Sequence, residues 1–430
     1  MTQKQFKQSL LRGQGRCVKA VQADPEKYRN TILWACSHRV AFDPQCEGTR
    51  AWFVYQLIGC YADKKPFLDA AIAGIQKAKS NGGWVILYLA ELLTHFVIDG
   101  ETAAEDALWG KYEELYAALL KKKQPPKGIF PERDDFAMLC QVIGEWRGTM
   151  VKIAEDIGRL YLEKEFYNGD DFDWLFAICA KRCMGMLKKR AEKSENIAAY
   201  LKAGFETEES WKKESLKVER TRTGRSLAVW LKRQADEETE RAYAKAYLEQ
   251  TELDARAEAL GAFALRAFPG DPTPIIEDAK SEHLKLREAA WEALGNVRHP
   301  LVRQVAIEHL REDVETVLPV LIMNYQKDDE EMLIELVKSV KVDFACTTAW
   351  HSVHGDVLNM KDYGLKAPKE LLYHIFDTTY CSCCREYALL QMGKRRLLTA
   401  EILEECLFDS SYDIRAYAKR CFARRKKQTV

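Results

Sequence analysis

The feature that most restricts the fold is a short motif, Arg-x-x-Ala, that returns at a nearly constant interval through the second half of the chain. It occurs at Arg241/Ala244, Arg256/Ala259, Arg287/Ala290, Arg303/Ala306, Arg385/Ala388 and Arg415/Ala418. Arg256 and Arg287 are 31 residues apart and Arg385 and Arg415 are 30, while Arg241–Arg256 and Arg287–Arg303 are half steps of 15 and 16. Two helices of about 12 residues with two tight turns come to roughly 30 residues, so the interval is that of one helical hairpin. Such a hairpin cannot bury its apolar face alone, and its neighbours must supply the cover.

The residues around the motif agree. Leu286, Ala289, Ala290, Ala293, Leu294 and Val297 share one helical stripe; Arg298-His299-Pro300 then turns the chain. Leu301, Val302, Val305, Ala306 and Leu310 open the next stripe, with Pro300 suited to a first helical position. The alanine after each arginine lets neighbouring helices approach closely. On Leu286-Arg287-Glu288-Ala289-Ala290-Trp291-Glu292-Ala293-Leu294-Gly295 and Asp413-Ile414-Arg415-Ala416-Tyr417-Ala418, the chain resembles HEAT-like repeat proteins of the short bacterial type, over about 240–335 and 368–424. The resemblance implies a polar ladder of Arg256, Arg287, Arg303, Arg385 and Arg415. Asp254 and Asp413 are placed to pair with it, and no equally placed Asp stands by residues 287 and 303.

Upstream, strand signals are scarce and apolar residues at helical spacing continue to the start. Residues 49–58 are apolar on nearly every side, as in a helix buried among others. Further helices are expected over 67–79, 84–97, 102–122, 134–164, 171–190 and 225–250, joined by short Gly- and Pro-bearing loops. The expected class is all-α: an α-solenoid of HEAT-like hairpins over 226–427, an aromatic-rich helical domain over 1–200 (either divergent repeats or a distinct domain capping the array), and a charged linker or solvated helix over 201–225. The longest apolar run, 84–98, contains Glu91 and His95 and falls short of a membrane span. Thirteen scattered cysteines, and a start rich in Lys and Arg with no apolar core, point to free thiols in a reducing, cytoplasmic setting.

Three constellations carry potential chemistry. His351-x-x-His354-x-Asp356, in a stretch of irregular appearance, followed by Cys381, Cys383 and Cys384 offers two imidazoles and two thiolates, a zinc-type donor set that one intervening helix could unite by folding back. Cys36, His38, Asp43, Cys46, Glu47 and Arg50 surround the loop 37–45; they offer either a thiolate–imidazole pair or simply a polar turn with Glu47 and Arg50 paired at i,i+3. Basic residues concentrate at Lys181, Arg182, Lys188, Lys189 and Arg190, at Lys419, Arg420, Arg424 and Arg425, and in the first helix. Lys+Arg and Asp+Glu both total 65, so no global charge draws the chain to nucleic acid or anionic membrane, and such a role must come from these patches. Arg12-Gly13-Gln14-Gly15-Arg16 follows a helical rather than a strand pattern and reads as a turn, not a phosphate loop.

No catalytic residues and no cofactor are assigned, zinc apart. The expected function is a non-enzymatic scaffold whose curved repeat surface binds a protein or peptide. The alternatives are a nucleic-acid-binding protein, since some DNA glycosylases use HEAT-like arrays, and a metal- or cysteine-dependent enzyme.

Overall fold

The computed structural model describes residues 1–79, 83–123, 131–146, 148–217, 228–229, 233, 236–345 and 348–428. The described residues form 25 α-helices and four short 3-10 turns, with no strand. The contacts divide the chain into two units, Met1–Val218 with Thr399–Val430, and Glu219–Leu398. The first carries α1 Gln3–Arg12, α2 Arg16–Ala23, α3 Pro25–Ala35, α4 Pro44–Glu47, α5 Ala51–Ile58, α6 Lys65–Lys77, α7 Trp84–Ile98, α8 Thr102–Lys121, α9 Pro131–Gly144, α10 Thr149–Glu163, α11 Asp173–Arg182, α12 Met184–Ala191 and α13 Glu195–Lys217. The second carries α14 Glu237–Glu249, α15 Leu253–Leu260, α16 Thr273–Asp278, α17 Leu284–Leu294, α18 Pro300–His309, α19 Val314–Met323, α20 Glu330–Ser339, α21 Thr348–Asn359, α22 Lys369–Thr378 and α23 Ser382–Lys394. The last two helices, α24 Ala400–Cys406 and α25 Tyr412–Gln428, belong to the first unit.

In the first unit α7 is apolar all round because α5, α6, α8 and α9 pack against it. Its one carboxylate, Glu91, accepts a hydrogen bond from the Thr49 hydroxyl, and burial raises its pKa. Among the described residues no helix is long and apolar enough to cross a membrane. Two expected helices are each divided. The 134–164 segment breaks before α10, where Gly148 takes the left-handed φ of 90° and the Thr149 hydroxyl donates to the Ile143 and Trp146 carbonyls at 2.6 and 2.9 Å. The 171–190 segment breaks at Cys183, the residue before α12. The charged stretch is helical as far as Lys217; its remainder, 218–225, lies outside the described residues.

Residues 399–424, within the 226–427 segment expected to form the repeat array, pack on the N-terminal helices. The Ser410 amide donates to the Gly13 carbonyl at 2.8 Å, Arg16 pairs with Glu405 and Lys19 with Glu404 at 2.8 Å each, and the Arg415 guanidinium stacks 4.0 Å over the Trp52 ring. Gly13 and Gly15 make this possible. A Cβ on Gly15 would stand 2.0 Å from the Glu405 carbonyl oxygen, and Gly13 has the left-handed φ of 70° that ends α1. The Gly-x-Gly run is a turn, as read from sequence; it lies between α1 and α2 and seats the C-terminal segment.

In the second unit, helices two places apart in the chain touch in succession: α15 on α17, α17 on α19, α19 on α21 and α21 on α23. On the other side of the pairs, α16 contacts α18 and α20 contacts α22. Amide side chains tie successive pairs together. The Asn296 amide donates to the Phe263 and Ala264 carbonyls at 3.2 and 2.9 Å, that of Asn324 to Val297 at 2.9 Å, and that of Gln391 to Leu358 at 2.8 Å. Each satisfies carbonyls that a helix end leaves open.

Candidate metal centre

Five of the six motif arginines occupy one structural position, the fourth residue of their helix: Arg256 in α15, Arg287 in α17, Arg303 in α18, Arg385 in α23 and Arg415 in α25. Arg241 is the fifth residue of α14, and its exposed side chain pairs with Glu237 at 3.1 Å. From the shared position the guanidinium reaches back over the preceding turn. Arg256, Arg287 and Arg415 all donate to the carbonyl six residues earlier: Gln250 at 3.1 Å, Ser281 at 2.9 Å and Asp409 at 2.6 Å. Those carbonyls follow the C-terminus of the previous helix, where a cation and a donor are both favoured. Alanine three residues on is fully buried at 290, 306, 388 and 418.

The acidic partners differ from those the resemblance implied. Arg256 pairs with Asp278 at 2.7 Å and Arg303 with Asp329, each acid coming from a later helix end or turn. Asp254, expected to pair with Arg256, instead accepts from Lys285 of the next pair at 2.9 Å.

Along the succession α15, α17, α19, α21, α23 this fourth position is held by Arg256, Arg287, Val317, His351 and Arg385. The His-x-x-His stretch, irregular by sequence, is thus helical. His351 meets the start of α23, where Cys381 is the residue before the helix and Cys384 its third residue. One ring nitrogen of His351 and the sulfurs of Cys381 and Cys384 all lie within 4.8 Å of one another. Cys381 and Cys384 are about 95% buried, at 5% and 6% exposure. Hydrogen bonds from the Cys383 and Cys384 thiols and from His351 hold the Cys381 sulfur well below the ordinary thiol range against the opposing effect of burial. The bond to Cys381, together with burial, pushes Cys384 up. A helix N-terminus favours the sulfur anion further.

His354, one turn beyond His351, is fully buried, and neither ring nitrogen has a hydrogen-bond partner among the described residues. Both imidazoles stand against Trp350, with ring centroids 5.5 Å away in each case. His374 of α22 stands 6.0 Å from His354. Burial, then the neighbouring His374 and His351, hold the His354 pKa down to about 3, so its ring is neutral and its lone pair available. Asp356 is not part of the group of three; burial and the charge of Glu315 push its carboxyl up to about 7. The joining of His351 to Cys381 and Cys384 is part of the donor set read from sequence; His374 is not among the residues singled out there.

No family model, curated protein or solved structure matches the chain.

The other two constellations resolve differently. Around the 37–45 loop, Cys36 is buried and its thiol is pushed up to about 12, while Cys46 is exposed. The His38 ring stacks on Trp34 and its Nδ1 lies 2.8 Å from the Trp34 carbonyl oxygen. Asp43 caps α4. Glu47 and Arg50 form a 2.6 Å ion pair with both side chains 1% exposed, the i,i+3 pairing expected of a polar turn. Of the basic residues, Lys188, Lys189 and Arg190 are exposed in the last turn of α12, where the helix dipole favours cations, and Lys419, Arg420 and Arg424 are exposed on α25. The side chains of Lys181, Arg182 and Arg425 lie outside the described residues.

Proposed function

We propose that the chain is a protein-binding scaffold whose second unit, α14–α23, is a HEAT-like helical-repeat solenoid. The observation that carries this reading is the repeated packing of α15, α17, α19, α21 and α23, with arginine caps recurring at one helical position. An array of this kind buries its core between neighbours and leaves long helical faces free for a partner. One such face is a hollow of about 350 Å³ between α18 and α20, with Ile307, Leu310, Met332 and Leu336 as its apolar lining and Arg311 and Glu335 beside them. An apolar groove with one charge of each sign suits the apolar stripe of an amphipathic helix.

The test is affinity capture with chemical crosslinking, using the intact chain and the double variant Met332→Glu/Leu336→Glu. A protein crosslinked to α18 or α20, recovered about tenfold less well with the variant, is the expected result. Circular dichroism and unchanged melting would show that the variant is folded. If the wild-type chain captures no protein but retards duplex or single-stranded nucleic acid at low salt, the scaffold reading fails. The alternative would then rest on Lys189, Arg190 and Lys193, which line an open hollow of about 600 Å³ with Gly185 and Met186.

A further inference from the structure

We infer that His351, Cys381 and Cys384 are ligands of a structural zinc ion that clips α21 to the start of α23, with His354 completing a Cys₂His₂ set. Three soft or borderline donors from two separate helices already lie within 4.8 Å of one another. In a tetrahedral zinc site the Zn–S and Zn–N bonds of about 2.3 and 2.0 Å put donor atoms roughly 3.5–3.8 Å apart, a contraction that side-chain rotation supplies. Cys381, Cys384, His351 and His354 form a C-x₂-C and an H-x₂-H, one pair at a helix start and one on a helix face.

Ordinary packing does not account for this arrangement. The residue before a helix is normally Ser, Thr, Asp or Asn because its side chain satisfies a free amide. Cys381 holds that place in α23 without making a capping hydrogen bond. A fully buried imidazole without a hydrogen-bond partner among the described residues, as at His354, carries a desolvation cost that a metal–nitrogen bond would remove. His351 holds, in this layer, the helical position that Arg256 and Arg287 hold in α15 and α17, where the guanidinium caps the preceding turn. The exchange of guanidinium for imidazole turns a pure hydrogen-bond donor into a lone-pair donor at the same place in the succession. Binding displaces to solvent whatever protons the two sulfurs carry, and the ion is neither oxidised nor reduced.

The experiment uses the full chain, purified without chelator. Elemental analysis should find about one zinc per chain. After zinc is removed, added Co²⁺ should produce tetrahedral d–d absorption and a near-ultraviolet thiolate-to-cobalt band. Cys384→Ser and His351→Ala should each lower retained zinc by more than about tenfold, the loss that removing even an outer-shell partner brings. His354→Ala should lower it as well, while Cys46→Ser, at an exposed thiol in the first unit, should leave it unchanged. The cobalt spectrum of the unsubstituted chain decides the matter even if a variant fails to fold. A folded wild-type chain that holds no zinc and gives no thiolate-to-cobalt band overturns the proposal, as does a Cys381–Cys384 disulfide in the isolated protein. Retention of full zinc by His354→Ala with loss in Cys383→Ser would overturn the ligand set.

Discussion

Arg50→Ala should cost the first unit about 3–5 kcal/mol, a large part of what holds a domain together. Arg50 and Glu47 are both 1% exposed at the side chain and 2.6 Å apart, so neither charge has water to fall back on. Arg50 also donates to the Leu11 and Val40 carbonyls, the latter at 3.3 Å, and Glu47 accepts from the Phe42 and Asp43 amides at 2.7 and 3.0 Å. The pair therefore ties the end of α1, the 37–45 loop and the start of α5 to one another. Truncating the arginine leaves the Glu47 carboxylate buried without its counter-ion and strands two carbonyls, and these costs make up the effect. Lys19→Ala, which removes an exposed pair with Glu404, is the matched control and should change stability by no more than about 1 kcal/mol. Urea unfolding followed by circular dichroism, with hydrogen exchange over residues 1–58, measures both. A loss under about 1 kcal/mol for Arg50→Ala would mean that the clamp is dispensable.

Gly15→Val should release the C-terminal segment from the first unit. The glycine's missing side chain is what admits the 405–410 backbone, because a Cβ there would lie 2.0 Å from the Glu405 oxygen and 2.8 Å from the Phe408 carbonyl carbon. Both obstacles are backbone, which cannot rotate aside as a flexible side chain does. The overpacking is expected to cost about 1–3 kcal/mol. It should appear locally, as faster amide exchange and earlier proteolytic cleavage across 399–424 while α5–α10 keep their protection. Uniform protection in the variant, or equal loosening of every helix, would contradict the seating of residues 405–410 on this turn. The same Gly-x-Gly run has the superficial look of a phosphate loop, and its structural use explains the glycines without an anion.

Much of the helical architecture was readable locally. The apolar stripes of α17 and α18 and the proline that opens α18 are short-range signals, and the structure follows them. Helix breaks were harder to see. The 134–164 pattern stays helical in period across Gly144–Gly148, and the interruption there depends on a left-handed glycine and a threonine hydroxyl turned back on the preceding carbonyls. The arginine series was visible as a spacing, but its purpose was not. The capped carbonyl is only six residues away, yet the acids that Arg256 and Arg303 meet, Asp278 and Asp329, lie further off. Asp254 looked suitable because it is adjacent in sequence, but on a helix neighbours two apart face different ways.

What the sequence by itself determined is the all-helical class, the hairpin-length interval and the kinds of donor available at 351–384, since period, capping and side-chain chemistry act within a turn or two of the chain. Which residues share a site was left to tertiary structure. Whether His351 reaches Cys381 and Cys384, and whether residues 399–424 lie on α1 and α2, depends on how turns of unequal length accumulate between helices. A shift of one residue rotates a helical side chain by about 100°, enough to turn a ligand away from its partners.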